Sequence, residues 1–151
     1  MTTSFARLLA ALVHGDVRFA VVGGVACVLH GHVRATEDVD ILIDGDPDNV
    51  SRLLAVLVCW GEGYACELTV ADFPIEPGAV RIIEDFPLDV FTEMSGLTWA
   101  TAAAHVLWWR SGNLAVPHLD LPTLIQTKAS SVRSKDQEDV RVLLVMQAER
   151  T

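Results

Sequence analysis

The stretch that most constrains this chain is GGVACVLHGHVRATEDVD, from Gly23 to Asp40, which follows the apolar run Phe19, Ala20, Val21 and Val22. An apolar run of this length ended by two glycines reads as a short buried strand. The residues from Val25 to Leu29 then read as a helix opening directly on the glycines. Free N–H groups in the first turn of such a helix, beside glycines that let a ligand reach the backbone, make an anion site in principle. A glycine pair is also what a tight strand-to-helix turn needs for backbone reasons alone.

Asp38 and Asp40 lie in TEDVDILID, where Val39, Ile41, Leu42 and Ile43 predict a strand. Side chains two apart in a strand share a face, so both carboxylates project the same way. Asp is a poor strand former, and like charges on one face repel. An edge strand with its polar face in water accommodates them. A divalent cation such as magnesium explains them better, because hard cations take carboxylate oxygens.

Together these residues resemble the signature of the DNA polymerase beta-like nucleotidyltransferase superfamily: a hydrophobic strand, Gly-Gly, a spacer helix, then Asp-x-Asp among apolar residues. The resemblance implies that Gly23 and Gly24 approach a nucleoside triphosphate (NTP). It implies that Asp38 and Asp40 hold two magnesium ions, or manganese in their place. It also implies a third carboxylate on a neighbouring strand, for which Asp89 in FPLDVFTE is the candidate, with Leu88, Val90 and Phe91 around it. Arg34 and Thr36 match an Arg-x-Thr-x-Asp arrangement that often precedes the metal-binding strand; Arg34 either contacts phosphate or pairs with Glu37. Near the C-terminus, Lys128, Arg133, Lys135, Asp136 and Asp139 resemble a pattern of small stand-alone nucleotidyltransferases, including relatives of abortive-infection toxins. The implied activity is transfer of a nucleoside monophosphate from an NTP to a hydroxyl of RNA, a protein or a small molecule, in a toxin–antitoxin setting. Asp89 is also a candidate general base. The alternative is a non-catalytic nucleotide-binding or antitoxin-like protein of the same fold, which would have no need of three carboxylates around a metal.

A length of 151 residues, 51% of them hydrophobic, fits one α/β (α+β) domain over residues 1–151, with a mixed sheet of about five strands and packed helices. A net charge of -9 disfavours broad duplex DNA binding, which needs a basic surface. No apolar run is long enough to cross a bilayer and MTTSFARLL does not resemble a signal peptide, so a cytoplasmic protein is expected. Cys27, Cys59 and Cys66 are odd in number and form no C-x-x-C pair, which argues for buried free thiols over a disulfide framework or a zinc knuckle.

Along the chain, Ser4 is expected to cap a helix ending near His14. DGDPDN has Asn49 where a calcium loop has its sixth-position glycine and is followed by Ala55 where that loop has its glutamate, so Asp46 and Pro47 read as a helix start. A short helix is expected around Glu67 to Ala71. AVRII predicts a strand that turns through EDFP to the strand of Asp89, which would bring Asp89 beside Asp38 and Asp40. Thr98 to Trp109 reads as a helix whose adjacent Trp108 and Trp109 cannot share a face; a helix buried over a wide arc accommodates both, and otherwise one is left for a homodimer or antitoxin contact. Leu114 to Leu119 predicts an edge strand holding Pro117. Leu121, Leu124, Ile125 and Val132 form a core-facing stripe on which Lys128 falls; it either snorkels to water or reaches the triphosphate. Ser134 and Gln137 read as a capping box, with Asp136 in the first turn.

Overall fold

The computed structural model describes residues Met1–Thr151. Its centre is the strand Phe19–Val22 (β1), all four residues of which are buried, as a strand covered on both faces requires. A helix, Gly23–Leu29 (α2), follows without a linker, and Val39–Ile43 (β2) returns antiparallel to β1. Before them lies the helix Thr3–His14 (α1), capped by Thr2, whose hydroxyl accepts from the Phe5 N–H, and not by Ser4. Asp46 caps the helix Pro47–Leu57 (α3) by accepting from the Asp48 N–H at 2.9 Å, as the Asp-Pro pair predicts. The segment after α3 holds 3-10 turns at Tyr64–Glu67 and Val70–Asp72 where one short helix was expected. Thr69 and Asp72 satisfy each other's backbone there, which closes a tight turn but propagates no helix.

The hairpin of Ala79–Ile83 (β3) and Pro87–Phe91 (β4) forms as expected, with Ile83 opposite Pro87 and Arg81 opposite Asp89. Beyond it, Glu93–Met94 (β5) and Leu97–Thr98 (β6) make a separate two-stranded ribbon. The expected helix over Thr98 to Trp109 is cut short. Only Trp99–Ala102 (α4) and a 3-10 turn at Ala103–His105 are helical, and Val106–Ser111 (β7) is a strand. β-Branched and aromatic residues suit a strand. Gly112 at φ 57 with Asn113 then turns β7 straight into Leu114–Leu119 (β8). Strand alternation leaves Trp108 exposed and Trp109 half-buried, so one tryptophan does leave the core face.

The main sheet has six strands in the order β3-β4-β2-β1-β8-β7, one more than expected because of β7. Pro117 is therefore not on an edge: β8 lies between β1 and β7. It is tolerated because β8 meets β1 at the single pair Val21–His118, so little ladder is lost. The helices Leu121–Ala129 (α5) and Ser134–Arg150 (α6) pack on each other. α5 ends too early to carry Val132, which is exposed. The capping box is absent, since Arg133 is the cap residue of α6 and makes no side-chain cap. One cluster of 31 buried apolar residues draws on all six helices, so a single core supports the sheet. No helix is long and apolar enough to cross a membrane. Of the cysteines only Cys27 is buried; Cys59 and Cys66 are exposed, contrary to expectation.

Two buried histidines close the end of α2. His30 Nε2 and His118 Nδ1 lie 2.8 and 3.0 Å from the Leu119 carbonyl, and the Arg150 guanidinium donates to His30 Nδ1 at 3.1 Å. Arginine can only donate, so His30 must accept at Nδ1 and stay neutral. Burial lowers both pKa values below the ordinary 6.5. The unfolded chain then takes protons that the folded one refuses. Their contribution to stability is complete above 6.5 and is lost as the pH falls from there toward the folded-state values. Denaturant midpoints at about pH 7.5 and about pH 5.5 should therefore drop more for the wild type than for His30→Gln, which does not titrate.

Candidate functional site

Register builds the site. Val22 pairs with Asp40, Asp40 with Asp89 and Asp89 with Arg81, so one row across β1, β2, β4 and β3 sets two acids and a guanidinium side by side. Asp38 lies just before β2. The segment from His32 to Asp38 forms neither helix nor strand, and exposure alternates along it: His32, Arg34, Thr36 and Asp38 are half-buried, Val33, Ala35 and Glu37 exposed. A cavity of about 250 Å³ opens above the row. It is lined by Gly23, Gly24, Arg34, Thr36, Asp38, Asp40, Asp89 and Lys128, and of the remaining C-terminal pattern by Arg133, Lys135 and Asp136 but not Asp139. Phe91 and Met94 are its only apolar walls.

The two glycines are required by what approaches them. Gly23 has φ 65, and a Cβ there would sit 2.1 Å from Asp40 Oδ2; a Cβ on Gly24 would meet Thr36 at 2.8 Å and Arg34 at 3.3 Å. Close approach of Asp40 and of the Arg34–Thr36 segment thus explains the pair in this structure.

Arg81 was not singled out in the sequence, although counting back from the EDFP turn puts it opposite Asp89. Its Nε and Nη2 donate to the two Asp89 oxygens at 2.9 Å each, and Nη2 also donates to Asp38 Oδ2 at 2.9 Å. The hydrogen bonds to Asp89, then the charge of Asp89 and that of Asp38, push the guanidinium pKa up. Asp40 has no such partner. Burial, then the facing Asp89 and the nearby Asp38, push its carboxyl up to about 7. Arg81 bridges Asp38 and Asp89, and no three His, Cys, Asp or Glu side chains surround a common point as they stand. The donor set nonetheless fits a hard cation: carboxylates only, crowded enough to hold one acid protonated near neutrality.

A second charged group backs the cavity. Asp139, 2% exposed, accepts from Lys128 Nζ at 2.9 Å and from Arg34 Nη1 at 2.5 Å, with His32 Nε2 at 3.3 Å. Arg34 therefore pairs with Asp139 and not with Glu37. Lys128 is buried and does not snorkel; it also donates to Asp136 at 3.0 Å. Its burial would lower its pKa, but the hydrogen bonds to Asp139 and Asp136 outweigh this and raise it. Burial would raise the Asp136 pKa, but hydrogen bonds from Ser131 and Lys128 lower it. Arg133 and Lys135, also at the cavity, are exposed and carry no ion pair. His32 was the other residue missed, and its signal was the two-residue spacing that continues through Arg34, Thr36 and Asp38. Cys27 adjoins this group, and burial raises its thiol to about 11, which makes it unreactive.

No protein-family profile matches the sequence, and no curated protein matches it. Among solved structures, a Thermotoga maritima protein provisionally described as a nucleotidyltransferase superposes with a TM-score of 0.58 at 14% identity, over 93% of this chain and 89% of that one. At that identity the likeness concerns the fold: this chain has a nucleotidyltransferase-like fold, a mixed sheet with packed helices.

Proposed function

We propose that this chain is a metal-dependent nucleotidyltransferase that moves a nucleoside monophosphate from an NTP to an acceptor hydroxyl. The observation that carries this reading is the row placing Asp40 beside Asp89, with Asp38 and the Gly23–Gly24 turn on the same cavity. Two magnesium ions held by Asp38, Asp40 and Asp89 would supply Lewis acidity at the attacking and leaving oxygens. The acceptor oxygen bonds to the α-phosphorus, the bond from that phosphorus to the bridging oxygen of the β-phosphate breaks, and pyrophosphate leaves. Asp89 is the carboxylate assigned to take the acceptor proton, once its oxygens are released by Arg81. In this reading the triphosphate runs over Gly23, Gly24 and Thr36, which line the cavity. Because Lys128 and Arg34 are balanced by Asp136 and Asp139, the cations left to meet its charge include Arg133 and Lys135. The acceptor class is RNA, a protein or a small molecule, and a toxin–antitoxin role belongs to the same proposal.

One observation favours the alternative, a non-catalytic nucleotide-binding or antitoxin-like protein: Arg81 already bridges two of the three acids. The test is incubation with magnesium, a cell lysate and each common NTP, labelled at the α- or the γ-phosphate. Transfer predicts that α-label and not γ-label is retained on an acceptor. Failure with every NTP would favour the binding protein.

A further inference from the structure

Arg81 is the only cation in hydrogen-bonding contact with Asp38, Asp40 or Asp89. It is placed by the hairpin register and covers both Asp89 oxygens together with one oxygen of Asp38. A guanidinium bonded to a carboxylate oxygen takes one of its two lone-pair directions and sets a positive charge beside the oxygen where a hard cation would bind. The same guanidinium is 49% exposed on an edge strand, so its stem can swing into solvent without moving the backbone. As a strap between β3 and the start of β2 it is poor, because half-exposed ion pairs contribute little stability. As a competitor it is well built, since a planar fork suits paired carboxylate oxygens better than a point charge does.

We propose that Arg81 is a built-in counter-ion of the acidic site, which a divalent cation must displace before it loads. This rests on the metal-dependent reading above. Arg81 thereby sets the cation concentration at which the site fills, and it keeps the carboxylates compensated below that concentration.

The experiment is titration of the purified full chain with manganese, free ion being read by electron paramagnetic resonance with no nucleotide present. Arg81→Gln removes the charge and is expected to bind manganese about tenfold to a hundredfold more tightly than the wild type, the scale of one charge-assisted pair removed. Arg81→Lys keeps a charge but not the fork and should fall between the two. Equal or weaker manganese binding by both variants would overturn the counter-ion role while leaving the metal-dependent reading in place. Absence of manganese binding by the wild type and both variants would overturn both together. A variant that fails to fold is replaced by the other, since each departs from the wild type in the same direction.

Discussion

Asp40→Asn is expected to lower magnesium-dependent transfer by about a thousandfold, the factor produced by losing ~4 kcal/mol of charge stabilisation, while raising the melting temperature in metal-free buffer. The two effects share one cause. Asp40 is the carboxylate without a cation of its own; it faces Asp89 across the parallel pair and has Asp38 close by. Asparagine keeps the shape that fits against Gly23, where even a methyl group has no room. It removes only the charge.

The pH dependence follows from the same crowding. A folded-state pKa of about 7 against an ordinary 3.8 means that the folded protein holds a proton the unfolded chain has released. The stability Asp40 contributes is thus complete below 3.8 and is lost as the pH rises to about 7. Above that, the ionised carboxylate opposes folding by an amount on the order of a few kcal/mol. The gain from Asp40→Asn should therefore be largest at about pH 8 and fade toward about pH 4. Melting curves across that range in a chelating buffer check the stability, and α-label transfer checks the activity. An asparagine variant that melts lower at alkaline pH, or that transfers like the wild type, would reject this account of the row.

What was legible in the sequence is what local periodicity writes down. The change from apolar run to Gly23–Gly24 to helix, the alternation around Asp38 and Asp40, and the hairpin through EDFP all have short-range signals, and together they place Asp89 beside Asp40. Arg81 follows from the same hairpin register but carries no motif of its own. β7 was obscured because an alanine-rich stretch, Ala100 to Ala104, runs into Val106 to Trp109 without a break. The Gly112–Asn113 turn and the partner strand β8 decide its structure, and local propensity yields to that pairing. The C-terminal group was half legible. Lys128 and Asp139 were visible as a pattern of residue types, but their mutual contact depends on how α5 packs on α6. Without that contact, Lys128 reads as a free cation; with it, its charge is already balanced.

That balance makes Asp139 the most consequential residue outside the acidic row. Its carboxylate is 2% exposed and receives Lys128 from α5, Arg34 from the segment before β2 and the neighbouring His32. Asp139→Asn keeps the volume but leaves two buried or half-buried cations facing a neutral amide that also presents N–H groups. Removing one partner of a buried ion pair costs about 3–5 kcal/mol, because the remaining charge stays desolvated and uncompensated. A drop of that size in unfolding free energy is expected for Asp139→Asn. Asp136→Asn should cost less, since its side chain is 17% exposed and water can replace what it gives Lys128. The decisive comparison is the double variant Lys128→Met, Asp139→Asn, in which the deepest cation is removed along with its acid. It should be more stable than Asp139→Asn alone, because the stranded charge and not the missing contact carries the cost. Denaturant midpoints for these variants measure this, and a double variant no better than the single one would show that Arg34, not Lys128, is the cation Asp139 is there to hold.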